Sequence, residues 1–296
     1  MRTASVSSFI ILLGLVCAPL FAQEASDDAA SAQALDPAWE AALQAMQQGP
    51  ARIALRDQAA IELPAGYGFV PRKQATKVMQ TMGNTVDQRF LGLIFPLSDK
   101  DWFVSVDWED SGYIKDDDAR DWNADELLQN LKDGTEAANK HRADVGVPAI
   151  EVTRWVESPK YDATSHRLVW SAEARQKNGD DPDPTINYNT YVLGREGFIS
   201  MNLITTSSNV ESDKAAADEL LAAVNFNEGK RYSDFDSSTD KVATYGLAAL
   251  VGGVAAKKLG LLAMVGVFLA KFAKVILIGL AALGGVIAKM FKKKEA

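Results

Sequence analysis

The sequence predicts an α+β fold with a mostly antiparallel sheet, flanking helices and a hydrophobic segment at each end of the chain. Along the chain, a helix is followed by strands, a second helix, several more strands and a third helix. Strands that follow one another through short turns pair in antiparallel fashion. The βαβ alternation and the glycine-rich phosphate loop of doubly wound folds are both missing, which disfavours a nucleotide-binding fold of that class.

Residues 1–22 have the pattern of a secretory signal peptide. Arg2 supplies the basic start, residues 9–16 form an apolar run, and Ala22 is the small residue before the cleavage point. The run is shorter than the roughly 20 residues that a spanning helix needs, and an uncleaved anchor is the alternative. Cleavage would remove Cys17, the only cysteine, and with it disulfides, thiol catalysis and zinc–thiolate sites.

Residues 23–50 are predicted to form a linker and then a short amphipathic helix. The first part is mainly Ala, Ser, Asp and Gln without periodicity, as in flexible linkers. Asp36 and Pro37 are a typical N-cap and first-turn pair. The apolar face of this helix would comprise Trp39, Ala42, Leu43 and Met46, and Gly49-Pro50 would end it.

Residues 51–238 are predicted to form the main α+β domain. Strands are predicted at 53–55, 60–63, 89–95, 102–108, 150–155, 167–175, 186–193 and 198–204. Helices are predicted at 73–82, 123–145 and 212–224, the last two capped by Asn123 and Ser212. The glycines of 66–69 and 194–197 are expected in turns, the second of them a hairpin connection. Phe226 is expected to tuck a final segment under the sheet.

The formal net charge of −8 conceals two regions of opposite charge. Residues 23–240 contain 38 acidic and 21 basic residues, whereas residues 241–296 contain nine lysines and one acid. Phosphate contacts need Lys and Arg on the approaching face, so an acidic domain is a poor binder of nucleic acid. We therefore expect no nucleic-acid partner. A basic tail beside apolar residues suits anionic lipid instead.

Residues 239–296 are predicted to form a C-terminal helical membrane anchor with a lysine-rich tail. Lysines interrupt three apolar runs (243–256, 259–270 and 275–288), each shorter than the roughly 20 residues of a span. The best single span is 269–291, whose end lysines can snorkel. A bent hairpin and a helix lying on the membrane surface are the alternatives. The lysines expected to meet anionic headgroups are Lys257, Lys258, Lys271, Lys274, Lys289, Lys292, Lys293 and Lys294.

Several motifs resemble those of a bacterial family of membrane-anchored proteins, the domain of unknown function 2167. The matching stretches are GYGFVP at 66–71, MGN at 82–84, GLIFP at 92–96, GYIKDDDA at 112–119, NKHR at 139–142, HRLVW at 166–170, NYNTYVLGREG at 187–197 and TDKVATYGLAALVGG at 239–253. The resemblance implies a secreted domain with a C-terminal anchor, and no established activity or site. The layout is also similar to small antiparallel α+β domains related to the photosystem subunit PsbP, which implies a fold and not a function.

Few polar groups form a pattern that carries chemistry. Asp116, Asp117 and Asp118 lack the EF-hand spacing, and calcium needs about six oxygen ligands, so a solvated acidic turn is the preferred interpretation. His141 and His166 form no metal-binding pair, and each is predicted to be structural rather than a lone general base. No catalytic, cofactor-binding or metal-binding residue is therefore assigned, and no cofactor is expected.

The tryptophans offer a second candidate site, because five of them could line an aromatic groove: Trp102, Trp108, Trp122, Trp155 and Trp170. Three of these, Trp102, Trp108 and Trp170, fall in predicted strands. Their position favours packing in the core over exposure in a groove. We therefore predict no aromatic binding site.

These features favour a non-enzymatic envelope protein with a periplasmic binding domain, an anchor in the inner membrane and a cytoplasmic tail. The cluster Lys292–Lys294 would lie in the cytoplasm, as the positive-inside tendency prefers. An envelope protein is the expected partner. One alternative is a carboxylate-based envelope hydrolase, which grouping of Asp116–Asp118 with a histidine in one cleft would favour. The other is a membrane segment that oligomerises under control of the soluble domain.

Overall fold

The computed structural model describes residues 36–82, 84–120, 122–144, 148–179 and 181–252. The signal peptide expected at 1–22 and the best membrane span, 269–291, lie outside these residues, as do the C-terminal lysines from Lys257 onward. Within the described ranges, no helix is both long and apolar enough to cross a bilayer.

The elements of the described chain alternate as the sequence predicts, with short helices set between groups of strands. The strands are β1 (Gln47–Gln48), β2 (Ala51–Leu55), β3 (Ala59–Leu63), β4 (Tyr67–Pro71), β5 (Phe90–Pro96), β6 (Phe103–Glu109), β7 (Ile150–Asp162), β8 (Arg167–Gln176), β9 (Thr185–Leu193), β10 (Phe198–Thr206) and β11 (Val224–Phe226). The helices are α1 (Pro37–Ala45), α2 (Arg72–Thr81), α3 (Ala124–Asp144), α4 (Val210–Ala222) and α5 (Ala249–Gly252).

The strands form two antiparallel sheets. The large sheet has the order β1-β4-β5-β6-β10-β9-β8-β7, and the small one has the order β11-β3-β2. The predicted α+β class, with a mostly antiparallel sheet and flanking helices, is therefore confirmed. The predicted hairpin at 194–197 is also present, because Leu193 pairs with Phe198 and the amide of Gly194 donates to the carbonyl of Gly197 at 2.7 Å.

Several elements differ from the sequence expectation: β1 and α5 are not predicted, and β7 extends to Asp162 instead of ending at 155. Residues 67–71 form strand β4 rather than part of a turn, because the turn is confined to Gly66, whose φ is +91°. Helix α4 begins before Ser212, since Val210 is already 4% exposed and packs in the core. Phe226 belongs to β11, which pairs with β3 in the small sheet, and its ring packs edge-on against Trp108 of the large sheet at a centroid distance of 6.2 Å, as expected.

Helix α1 has the start that its sequence predicts. The side chain of Asp36 accepts a hydrogen bond from the amide of Ala38 at 2.7 Å, which satisfies one of the free donors of the first turn. Ala42 is 1% exposed, and Trp39 and Met46 pack beside it. Leu43, predicted on the same face, is instead 48% exposed, because the buried face of this short helix is narrower than the predicted one.

One face of the large sheet packs against α4 and the small sheet. Alternate residues of β6 and β10 point to this face and form an apolar cluster with α4, as expected for period-two strands. The cluster includes Val104, Val106, Trp108, Ile199, Met201, Leu203, Leu220 and Leu221. Trp102 and Trp108 are buried here, and Trp170 is buried on the opposite face. The prediction that these three tryptophans pack in the core is confirmed.

The opposite face carries two apolar clusters, one beside α1 and α2 and one beside α3 and α5. A polar strip separates them. A row of cross-strand partners shows the change: Leu93, Ser105, Asn202, Asn189 and Trp170 lie on five successive strands. The outer two belong to the apolar clusters, and the inner three are buried polar residues. Neither amide atom of Asn202 has a hydrogen-bond partner within the described part of the chain.

The segment that follows the small sheet packs against the domain as far as the end of the described chain. Val242 pairs in parallel with Tyr113, whose amide donates to the carbonyl of Lys241 at 2.8 Å. Leu247 and Val251 are 0% and 2% exposed in the cluster beside α3. The first residues of the region that the sequence assigns to the anchor therefore contribute to the core of the domain.

Candidate functional site

The β7–β8 hairpin ends in a turn that fixes several polar side chains. The carboxylate of Asp162 accepts hydrogen bonds from the amide of Thr164 at 2.8 Å and the hydroxyl of Ser165 at 2.6 Å. His166 closes the turn with a φ of +52°, a left-handed conformation that is uncommon for a residue with a side chain. This turn sets Tyr161 and His166 side by side on the same surface of the hairpin.

Asp116, Tyr161 and His166 form a hydrogen-bonded chain. The hydroxyl of Tyr161 donates to Oδ2 of Asp116 at 2.7 Å and lies 3.1 Å from Nδ1 of His166. With the hydroxyl proton on Asp116, the imidazole donates from Nδ1 to the phenol oxygen. Oδ2 of Asp116 is also 3.9 Å from Nδ1 of His166. Of the grouping of Asp116–Asp118 with a histidine that the hydrolase alternative requires, the structure contains only Asp116 with His166, joined through Tyr161.

An aromatic column holds His166 in place. Its imidazole stacks on Tyr232 at a centroid distance of 4.1 Å, Tyr232 stacks on Tyr113 at 4.4 Å, and Tyr113 stacks on Phe235 at 3.8 Å. The hydroxyl of Tyr232 donates to the carbonyl of Ile114 at 2.8 Å. The column therefore joins the hairpin to the segment that leads toward the C-terminal region.

Two of the three adjacent aspartates, Asp116 and Asp118, bind different partners. The carboxylate of Asp118 accepts hydrogen bonds from the amides of Leu247 and Ala248 at 3.1 and 3.0 Å, whereas Asp116 binds Tyr161. Asp118 also fills the space that a side chain at Gly246 would need. In the residues that the structure describes, no group of three or more His, Cys, Asp or Glu side chains could hold a metal ion. The histidine that hydrogen-bonds in the group with Asp116 and Tyr161 is His166. His141 belongs to helix α3.

A cleft of about 530 Å³ lies beside the hairpin, between β7 and α4, and Tyr161 and Ser165 contribute to its lining. Val169 and Tyr188 form its floor, and we call it the hairpin cleft. Its charged lining comprises three cations and three carboxylates: Lys160, Arg167 and Lys214, and Glu157, Asp162 and Asp218. The cleft arises because α4 packs on β9 and β10 and leaves the edge of the sheet at β7 and β8 uncovered on this face.

The charges in the hairpin cleft shift one another's pKa values. Glu157 forms an ion pair with Lys160 and lies 3.9 Å from Lys214. Desolvation and then the neighbouring Glu157 raise the pKa of Asp218, although the residue as a whole is exposed. Burial, followed by the charge of Asp218, raises the pKa of Tyr188. The hydroxyl of Tyr188 therefore keeps its proton and can donate a hydrogen bond.

Sequence reasoning missed the residues that build the hairpin cleft. Tyr188 and Lys214 stand in a strand and a helix whose patterns mark them only as periodic members of those elements. Tyr161 lies on a part of β7 beyond the predicted end of that strand at 155. No local signal identifies them, because the cleft depends on where α4 stops relative to the sheet.

The environment of His166 makes a specific prediction for stability. Burial lowers the pKa of His166, against the opposing charges of Asp116 and Asp162. A histidine with a lowered folded pKa stabilises the fold above its unfolded pKa of about 6.5 and loses that contribution as the pH falls below it. We expect His166→Phe, which keeps the stacking on Tyr232, to lose less stability than the native protein between about pH 7 and 5.

Urea unfolding at a series of pH values measures this difference. Tyr161→Phe serves as the control, because it removes the hydroxyl beside His166 and leaves the titrating imidazole in place. The control should therefore keep the pH dependence of the native protein. If the free energy of unfolding changes equally with pH in the native protein and in His166→Phe, the titration of His166 does not contribute to stability between about pH 5 and 7.

Comparison with solved structures and curated proteins adds little about activity. No curated protein matches the chain. The chain is similar to the solution structure of cyanobacterial PsbP (CyanoP) from Synechocystis sp. PCC 6803, with 15% identity and a TM-score of 0.36. The match covers 62% of this chain and 93% of that one. A likeness at this level carries no argument about function.

The family comparison is more extensive. Residues 47–284 match the family described as "Protein of unknown function (DUF2167)". The matched range contains both sheets, the hairpin cleft and the segment around Leu247. It confirms the resemblance that the sequence motifs indicated, and the chain belongs to the DUF2167 family.

Proposed function

We propose that this protein is a membrane-anchored binding domain of the bacterial envelope, held at the outer surface of the inner membrane. The observation that carries the proposal is the packing of residues 240–252 on the domain. Asp240 pairs with Arg195, and Leu247 and Val251 are buried in the core. A chain that continues from this segment into apolar residues would be held close to the membrane, without a long free linker.

Binding is favoured over hydrolysis by the way in which the polar groups are used. Oδ2 of Asp116 already accepts a hydrogen bond from Tyr161, and the imidazole of His166 is stacked on Tyr232. A general base must lie within reach of a substrate proton, and neither Asp116 nor His166 lines the hairpin cleft. The chain of Asp116, Tyr161 and His166 instead joins the hairpin to the C-terminal segment, which suits a structural role beside a binding cleft.

The proposed topology places the domain in the periplasm and the lysine-rich tail in the cytoplasm. The signal-peptide pattern at 1–22 and the cluster Lys292–Lys294 support this orientation. All eight lysines from Lys257 to Lys294 would contact anionic headgroups, each contributing about 1 kcal/mol near the surface. An envelope protein or a soluble ligand of the periplasm would be the partner.

Labelling of single cysteines tests this topology, because Cys17 is the only native cysteine. Thr164→Cys at the exposed hairpin turn and Ala296→Cys at the C-terminus are each placed in a Cys17→Ala background. A membrane-impermeant maleimide should label Thr164→Cys in intact spheroplasts, and Ala296→Cys only after permeabilisation. Labelling of Ala296→Cys in intact spheroplasts, or protection of Thr164→Cys, would refute the topology.

A further inference from the structure

We propose that the hairpin cleft binds a short peptide or free amino acid through its ammonium and carboxylate groups. The proposal rests on the function proposed above, and gives it a ligand class. The cleft has a volume of about 530 Å³, which falls within the range of roughly 300–1,000 Å³ that is typical of small-molecule sites. It opens beside the exposed hairpin turn, so that a ligand can enter from solvent.

Most charges in the hairpin cleft are already neutralised by one another. Glu157 is paired with Lys160, and Lys214 is paired with Glu211 at 2.7 Å. Asp162 accepts the hydrogen bonds of the hairpin turn. These groups therefore offer little to a ligand beyond the shape of the walls.

Two charged side chains of opposite sign, Arg167 and Asp218, form no ion pair within the described residues. The Nη2 of Arg167 donates to the backbone carbonyls of Ala222 and Val224, both at 3.3 Å, and no carboxylate in the described chain pairs with this guanidinium. Asp218, from α4, likewise has no ion pair or hydrogen bond to any residue that the structure describes, although the charges of Lys214 and Lys160 act to lower its pKa. One cation and one anion are thus left available in the same cleft.

The floor of the cleft adds a polar group that is also unused. Tyr188 is 3% exposed, lines the cleft, and its hydroxyl makes no hydrogen bond to the described residues. A hydroxyl that lines a cleft and has no protein partner binds water, which a ligand group can replace. A ligand carbonyl or carboxylate over Tyr188 would supply that partner.

This set of free groups selects a zwitterion. A ligand with only a negative charge would be attracted by Arg167 and repelled by Asp218. A ligand with only a positive charge would be attracted by Asp218 and repelled by Arg167. A ligand that carries both groups can place its carboxylate on Arg167, which suits planar carboxylates, and its ammonium on Asp218. Ammonium binding would also relieve the repulsion between Asp218 and Glu157 that raises the pKa of Asp218.

Calorimetric titration of the full-length protein in detergent micelles tests the proposal, with trialanine as the probe. Its N-acetylated and C-amidated forms remove one charge each. We expect saturable binding of trialanine, and a loss of about tenfold or more for each capped form. Titration of glycine and dialanine in parallel finds the length that spans the two sites.

Charge-neutral variants assign each end of the ligand. Asp218→Asn should bind trialanine and its N-acetylated form equally well. Arg167→Gln should bind trialanine and its C-amidated form equally well. Lys140→Gln, on the exposed surface of α3, is the matched control and should bind like the native protein. Should Arg167→Gln fail to fold, Asp218→Asn still decides the outcome.

Three results would overturn the inference. The first is that none of glycine, dialanine and trialanine binds saturably at millimolar concentration. The second is equal binding of free and capped peptides to the native protein. The third is binding of glycerophosphoethanolamine in place of the peptides, which would assign the cleft to a lipid headgroup. None of these results depends on the cysteine-labelling experiment, so the membrane topology stands or falls separately.

Discussion

Replacement of both Arg154 and Arg175 by glutamine should lower the free energy of unfolding by about 3 kcal/mol at neutral pH, because it leaves a buried carboxylate unpaired. That carboxylate is Glu173, whose side chain is 2% exposed. It accepts charge-assisted hydrogen bonds from Arg154 at 2.8 Å and Arg175 at 2.7 Å, and a third from Thr153 at 2.9 Å. Breaking a buried ion pair costs about 3–5 kcal/mol. The low end of that range applies here because both arginines stand at the solvent edge, where water can enter after their removal.

The pH dependence of this effect has a definite sign. In the native protein burial would raise the pKa of Glu173, but the hydrogen bonds of Arg175 and Thr153 and the charge of Arg154 hold it below its ordinary value. That stabilisation is present above the unfolded pKa of about 4.3 and is lost as the pH falls through the folded pKa. In the double variant the two arginines no longer oppose the effect of burial on Glu173. The pKa of Glu173 should then be higher in the folded state than in the unfolded state.

The deficit of the double variant should therefore be small near pH 4 and reach its full size by about pH 7. Urea unfolding at both pH values measures it. Adding Glu173→Gln should restore part of the lost stability at neutral pH, because the amide needs no counter-charge. Arg52→Gln is the control: Arg52 and Glu62 are 62% and 51% exposed, and their ion pair should contribute less than about 1 kcal/mol. A deficit that does not change with pH would exclude Glu173 as its cause.

Local patterns in the sequence predicted the elements whose signals lie within a few residues. The alternation of Val104, Val106 and Trp108 marks β6, and the caps at Asp36 and Asn123 mark the starts of α1 and α3. Both caps are present, since the side chain of Asn123 accepts hydrogen bonds from the amides of Asp125 and Glu126. These signals depend on backbone geometry that neighbouring residues determine, and distant contacts do not change them.

The arrangement of the strands could not be predicted in the same way. Strand β10 pairs with β6, although about ninety residues separate them, and β11 pairs with β3 in the small sheet. Tyr161 and Asp116 are likewise far apart in sequence, and only this strand order brings them together. The candidate site was therefore predictable only as separate residues, with His166 and Asp116 named and their connection through Tyr161 unseen.

Leu247→Ala should lower the free energy of unfolding of the domain by about 3 kcal/mol, with an unchanged dependence on urea concentration. Leu247 is 0% exposed and packs in the cluster of Leu127 and Leu131 from α3. Truncation of a buried leucine removes apolar contact and leaves a cavity, and both terms destabilise. The measurement is urea unfolding of the full chain in detergent micelles, followed by the fluorescence of Trp155 and Trp170, which belong to or border this cluster.

Val242→Ala is the matched control, because Val242 lies in the same segment and is 38% exposed. Its truncation should cost well under 1 kcal/mol, as for most exposed positions. If the two variants have the same stability as the native protein, the segment does not belong to the folded domain. A large effect for Leu247 alone would show that the first apolar run, 243–256, contributes Leu247 to the core of the domain. That result would leave only the runs 259–270 and 275–288 to enter the bilayer, whether as a hairpin or within the single span at 269–291.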